Sequence, residues 1–209
     1  GGETPIKTLS SPYMQAASRL YNASISRHHA GERFPLWGTC MGMQVLSILG
    51  AGDASVLLSH AYRSEGLQLP LALSPAAATS ALLCADCLPD DSLFTLAKTN
   101  STVNLHHDGV PPSAFAPGSK LAAAFDVLST NVDEKGKPFV STIEASGGAK
   151  IFGTQWHPER PQFEFEVVGD TAFMSHSPAI ISAMFAVASR FVYFARRNTN
   201  RFGSPAEEA

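Results

Sequence analysis

The sequence predicts an α/β fold built on an open, mainly parallel sheet. Three observations carry that expectation. Strand-like and helix-like segments alternate along the chain. A short apolar stretch, Phe34–Thr39, runs directly into a glycine-flanked turn and then an apolar helix. In the second half, two strand-like segments flank "VDEKGK", which reads as a β-hairpin inserted into the alternating pattern.

Each element has its own local reason. Ser11–Ser26 is a predicted helix, because Met14, Ala17, Leu20 and Tyr21 recur at helical spacing and Pro12 suits a first turn. Phe34–Thr39 is short, apolar and aromatic, the composition of a buried strand. Cys40–Leu49 follows as a helix, ended by Gly50 and Gly52. Residues 53–75 suggest strands and turns around Gly66 and Pro70, Leu93–Lys98 a short helix, and Asn104–Pro112 a loop. Phe125–Asn131 and Pro138–Glu144 form the hairpin, with Gly136 in its turn. Ile151–Gln155 is another short strand, and a long last helix opens near Ser177-Pro178. Residues 1–202 read as one domain and 203–209, "GSPAEEA", as a frayed tail.

Composition narrows the function classes. With 44% apolar and 16% charged residues, the chain has the balance of a core-forming domain. The net charge of −3 and the lack of a basic patch argue against a nucleic-acid partner. The stretch Ala179–Ala195 comes nearest to a membrane span. Ser182, Ser189 and Arg190 interrupt it, so an amphipathic helix is expected. Asn22-Ala23-Ser24 and Asn100-Ser101-Thr102 each fit the N-glycosylation pattern. Three cysteines make no disulfide scaffold, and an odd count leaves room for one free thiol, for which Cys40 is the candidate. Cys84 and Cys87 read as a tight disulfide or as two free thiols, ahead of a zinc or redox site. His28-His29 reads as a solvated loop, and His176 either nears the active site or caps the last helix.

A strand leading into Gly38-Thr39-Cys40-Met41-Gly42 and then a helix is the sequence form of a nucleophile elbow, G-x-S-x-G, with Cys in place of Ser. The turn would expose the sulfur at the carboxyl edge of the sheet. It would also place the sulfur at a helix N-terminus, where the dipole and free N–H groups favour thiolate. The Met41 N–H would then face the oxyanion formed on attack at a carbonyl. A thiol nucleophile needs a histidine oriented by a third group. Of seven histidines, only His157 in "IFGTQWHPER" both follows a predicted strand and has a carboxylate, Glu159, nearby. Pro158 biases His157 toward an extended backbone, in which residues i and i+2 face the same side.

These motifs resemble the class I glutamine amidotransferase-like superfamily, and within it the gamma-glutamyl hydrolase family. The resemblance extends to "YNASI" (21–25), "FPLWGTCMGM" (34–43), "FDVLSTNVDEKGKPFVSTIEA" (125–145), "GTQWHPERPQFEF" (153–165) and "SHSPAI" (175–180). It implies a three-layer fold with helices on both sheet faces, and a domain that begins upstream of Gly1, so that the first strands are expected to be missing here. It implies a cysteine hydrolase of folate poly-gamma-glutamates, with Cys40 as nucleophile, His157 as base and then acid, and Glu159 as orienting carboxylate. Gly1 and Gly2 would belong to a glycine turn, with Gly2 giving the second oxyanion N–H and Gly1 lining the substrate site. In "VNLHHDG" the resemblance assigns His106 to the substrate pocket. Gln44 in "GTCMGMQ" is closer to the amidotransferase form, where it holds a glutamine substrate. A glutaminase subunit is therefore the competing expectation, and an inactive truncated relative the third. Arg63, Arg160 and His106 are the candidates for binding the substrate α-carboxylate. The resemblance further implies no metal or organic cofactor, a homodimer, glycosylation at Asn22, and a lysosomal, vacuolar or secreted location.

Overall fold

The computed structural model describes residues 5–165, 169, 172–201 and 203–208. Its strands are β1 (Leu36–Thr39), β2 (Leu67–Leu69), β3 (Ala72–Leu73), β4 (Thr102–Asn104), β5 (Phe125–Val132), β6 (Pro138–Ala145) and β7 (Ile151–Thr154). Five of them form one sheet in the order β1-β7-β6-β5-β3, and β2 pairs with β4 in a separate two-stranded ribbon. Pairing is parallel between β1 and β7 and antiparallel between β7 and β6, β6 and β5, and β5 and β3. The described sheet is therefore mixed. The inserted hairpin β5–β6 returns on itself across a tight turn, which only antiparallel strands can do.

Helices cover both faces. One core gathers Met14 of α1 (Pro12–His29), Met43 and Ile48 of α2 (Met41–Ala51), Leu121 of α4 (Lys120–Ala124), and Phe125, Val140 and Ile151 of the sheet. The other gathers Leu96 of α3 (Asp90–Lys98), Ile180, Met184 and Val187 of α6 (Pro178–Ala195), and Leu128, Phe152 and Trp156. Consecutive residues divide between the two: Leu36 and Ile151 join the first core, Trp37 and Phe152 the second. That is the period of two expected of strands buried on both faces.

Local chemistry sets the helix ends. The Ser11 hydroxyl caps α1 by accepting from the Met14 N–H, and Ser177 caps α6 by accepting from the Ile180 N–H. The first helix runs on to His29, so His28 and His29 close a helix rather than lie in a loop. Gly52, at φ 65°, ends α2, and Gly50 lies inside it. Helix α6 has the length and composition of a membrane span, yet Ile180, Ala183, Met184 and Val187 are buried in the second core. Cys84 and Cys87 are joined in a disulfide, with Cα atoms 5.1 Å apart. In the expected tail, Pro205–Glu208 form a single helical turn, α7, whose Glu207 side chain accepts from the Gly203 N–H at 3.0 Å.

The turn between β1 and α2 requires glycine at one of its two glycine positions. A Cβ on Gly38 would stand 2.8 Å from the Met43 nitrogen and would also overlap the Gly42 carbonyl group, both rigid backbone of α2. A Cβ on Gly42 would meet nothing within 4 Å. Gly38→Ala is therefore expected to destabilise the chain by about 3 kcal/mol, because backbone cannot yield as a flexible side chain does. Gly42→Ala should be neutral or stabilising by up to about 1 kcal/mol through helix propensity. Urea unfolding of the two variants checks the contrast; equal effects would place the close approach elsewhere.

Candidate active site

Strands β1 and β7 run parallel in the register Thr39↔Thr154, so both leave the sheet at the same edge. The Cys40 N–H donates to the Thr154 carbonyl at 2.7 Å, which carries the ladder one step beyond the strands. The chain then turns into α2 with Cys40 at φ 52° and ψ −108°. Among the described residues, only Cys40 and His60 are non-glycine residues at positive φ. This is the strained geometry of an elbow nucleophile. The first backbone bond of α2 runs from the Gln44 N–H to the Cys40 carbonyl, so Met41 at the head of the helix has no intrahelical acceptor for its N–H.

Past β7 the segment 155–157 alternates. The Gln155 N–H is held by the Ser141 carbonyl and the His157 N–H by the Val103 carbonyl. Trp156 is fully buried, and its Nε1–H donates to Thr142 Oγ1 at 3.0 Å. Gln155 and His157 both reach Cys40. The Gln155 Nε2 donates to the sulfur at 3.6 Å, and His157 lines the same cavity beside it. On its other side His157 Nδ1 meets Glu159 Oε1 at 2.7 Å. Glu159 itself has a helical backbone and opens α5 (Arg160–Phe163), so the contact is made across a bend rather than along an extended strand.

Charge follows from these contacts. Burial alone would disfavour the imidazolium of His157, but hydrogen bonds and opposite charge from Cys40 and Glu159 outweigh it and raise His157 to about 9. Burial would raise Glu159; the hydrogen bond and charge of His157 hold it below the usual carboxylate range. His106 is the reverse case, because burial drives it down to about 4 and keeps it neutral. Its Nδ1–H is spent on the Asp108 carbonyl at 2.8 Å, leaving Nε2 as a buried acceptor without a partner.

A cavity of about 860 Å³ lies over the sulfur, lined by Cys40, Met41, Gln44, His106, His157 and Arg160 among others. Gln44 is buried there. Its amide nitrogen donates to the Asp108 carbonyl at 3.0 Å and to Gln155 at 3.3 Å. Arg160 pairs through Nη1 with Glu164, while its buried Nε has no partner among the described residues. Arg63 is exposed and outside the cavity. The His176 Nδ1–H donates to the Pro161 carbonyl; the cap of α6 is Ser177. Asn22 and Asn100 are both exposed. Gly1 and Gly2 lie outside the described residues. Sequence reasoning missed Gln155, although its place two residues before His157 is the same i, i+2 signal that paired His157 with Glu159. It also missed Asp108, whose backbone carbonyl does the work and leaves no mark in a sequence.

The raised His157 sets a sign for pH dependence. Its folded value, about 9, exceeds its ordinary 6.5, so the stability it contributes is complete below about 6.5 and is lost as pH rises through about 9. An imidazole NMR titration should place His157 near 9. Cys40→Ala and Glu159→Gln should each lower it; a midpoint near 6.5 that neither variant moves would refute the ion pair.

Comparison with known proteins agrees with this architecture. The sequence pattern of "Glutamine amidotransferase class-I" matches residues 12–166. The chain is similar to gamma-glutamyl hydrolase of Bos taurus, 34% identical over 97% of this chain and 61% of the relative. It is also similar to that of Homo sapiens, 33% identical over 100% of this chain and 62% of the relative. Gamma-glutamyl hydrolase 1 of Arabidopsis thaliana is 29% identical over 90% of this chain and 52% of its own length. The chain thus spans about three fifths of the mammalian relatives it matches. The crystal structure of SMU.1228c superposes with a TM-score of 0.50 at 18% identity, over 86% of this chain and 70% of that one, a likeness of fold. With the elbow, the histidine and the carboxylate all inside the matched span, the chain belongs to the glutamine amidotransferase class-I family.

Proposed function

We propose that this chain carries the catalytic centre of a hydrolase that cleaves γ-glutamyl peptide bonds, with folate poly-γ-glutamates as substrates. The observation that carries the reading is the Cys40 sulfur at a strained helix N-terminus, on the same cavity as an imidazole that a carboxylate holds at 2.7 Å. The similarity to gamma-glutamyl hydrolases over nearly the whole chain supports the substrate class.

In this mechanism the Cys40 thiolate attacks the γ-carbonyl carbon, and the carbonyl π pair moves to oxygen. The Met41 N–H donates to that oxyanion, a contribution of a few kcal/mol in the transition state. His157, already an imidazolium, gives its proton to the leaving amine as the C–N bond breaks, and a thioester remains on Cys40. The neutral imidazole then takes a proton from water, whose oxygen attacks the thioester. The C–S bond breaks, the product leaves as the γ-carboxylic acid and ionises by giving its proton to solvent, and the imidazolium–thiolate pair is restored. Glu159 holds Nδ1 throughout. The Arg160 guanidinium, with a buried Nε lacking a partner, suits the substrate α-carboxylate, and the free acceptor at His106 Nε2 suits a substrate N–H. Gly2 is retained as the second oxyanion donor.

The rival glutaminase reading leans on Gln44. The amide nitrogen of Gln44 is engaged with Asp108 and Gln155, which makes it part of the cavity wall. A lysosomal, vacuolar or secreted location belongs to the same proposal. The exposed Asn22 and Asn100 and the Cys84–Cys87 disulfide support it, since disulfides persist in oxidising compartments.

Turnover of a folate poly-γ-glutamate should be abolished in Cys40→Ala and reduced in His157→Ala by about 10²–10⁴, the usual weight of a general acid–base. Hydroxylamine should trap the acyl group from the unmodified chain. Preferential hydrolysis of free glutamine would establish the glutaminase instead. Binding of the folate without turnover would mark an inactive relative.

A further inference from the structure

A second cluster of side chains stands on the rim of the same cavity, and the hydrolytic mechanism does not use it. His60, His107 and Asp108 each present one donor atom, and the three atoms lie within 4.8 Å of one another. Two chain segments carry them, and the backbone ties these segments together. Leu58 and Gly109 exchange N–H···O bonds at 3.0 and 3.1 Å, and the His107 carbonyl accepts from the Ala61 and Tyr62 amides at 2.9 and 3.0 Å. The cluster is therefore held by a clamp rather than gathered from independent loops.

The side chains are arranged as donors. His107 Nδ1 faces Glu65 Oε1 at 3.3 Å, a contact that places the ring proton on Nδ1 and leaves Nε2 as the free lone pair. That Nε2 lies 3.7 Å from Asp108 Oδ1. Neighbouring donors in a tetrahedral shell with bonds of 2.0–2.1 Å stand roughly 3.4 Å apart. A carboxylate behind a histidine, with the other ring nitrogen turned to a shared centre, is the outer-shell pattern of metal-bound histidines. His60 stacks on His107 with ring centres 4.6 Å apart, and its backbone N–H donates to Asp108 Oδ1 at 2.7 Å. His60 is held at φ 50°, the only described non-glycine residue besides Cys40 with positive φ. Parallel rings share no in-plane point, so ligation of one ion requires His60 or His107 to turn out of the stack, which the exposure of both rings allows.

We infer that His60, His107 and Asp108 form a binding site for one divalent transition-metal ion of the zinc type, with Glu65 as the outer partner of His107. Two imidazole nitrogens and one carboxylate oxygen match the donor preference of zinc, and three protein ligands leave the fourth position open toward the cavity. The Asp108 backbone carbonyl is also the acceptor for Gln44 and His106, so the ion would sit on the residue that anchors the wall beside Cys40.

The test is calorimetric titration of the chain with Zn²⁺, supported by the absorption spectrum of its Co²⁺ form, with circular dichroism to confirm folding of each variant. One ion should bind per chain, and the Co²⁺ spectrum should be that of a low-coordinate N/O site without a thiolate charge-transfer band. His60→Ala and His107→Ala should each weaken binding by more than tenfold, and Glu65→Ala by about tenfold. Cys40→Ala should leave it unchanged. Absence of Zn²⁺ binding by the unmodified chain would overturn the inference. So would binding that survives both histidine variants, or binding that vanishes in Cys40→Ala with a sulfur band in the Co²⁺ spectrum. None of these outcomes depends on the hydrolytic reading.

Discussion

The parallel register between β1 and β7 is the constraint on which the rest of the site depends. Two parallel strands end at the same edge, about 4.8 Å apart. Whatever follows Thr39 therefore emerges beside whatever follows Thr154. Cys40 follows the first, and Gln155 and His157 the second. A slip of one residue in either strand would send its buried side chains to the opposite face. Large apolar groups prevent it: Leu36 and Ile151 fill one core, Trp37 and Phe152 the other. Trp156 adds a pin at the strand end through its bond to Thr142. The geometry of the candidate site is thus a consequence of core packing, in which the two sheet faces fix where a sulfur and an imidazole come together.

Around that meeting point the polar groups are arranged in two layers. The inner one is a chain of side-chain amides, from the Asp108 carbonyl through Gln44 and Gln155 to the sulfur of Cys40. Its members are buried, where a hydrogen bond both orients its partners and spares the cost of an unpaired amide. The outer layer is Glu159, whose side chain is 49% exposed against 13% for His157. An ion pair so open to water contributes little stability by itself. Its effect lies in orienting the ring, whose Nδ1 it holds at 2.7 Å.

Cys40 and His60, the non-glycine residues at positive φ among the described residues, border the same cavity from different elements. One is pinned by β1 and α2, the other by the clamp between 58–62 and 107–109 and by Asp108. Asp108 joins the two regions, since its backbone serves Gln44 and its carboxylate serves His60. Rigid walls of this kind hold a preorganised centre at low cost in binding entropy.

The sequence by itself determined the local elements. The elbow, the hairpin around Gly136, and the pairing of His157 with Glu159 each rest on interactions among near neighbours, which local pattern records. The tertiary structure decided which of those pieces meet. Sheet order made the described sheet mixed, because the hairpin packs between β7 and β3 rather than outside them. Long-range contacts brought Gln155 to Cys40, put Arg160 rather than Arg63 on the cavity, turned Gln44 into a wall residue, and set His60 against His107 and Asp108. Of the two glycines in the elbow, only Gly38 faces backbone, a difference that depends on how α2 lies against β1. Contacts between residues far apart in the chain depend on the register and crossing of elements, and a pattern of periods two and 3.6 carries no information about which elements become neighbours.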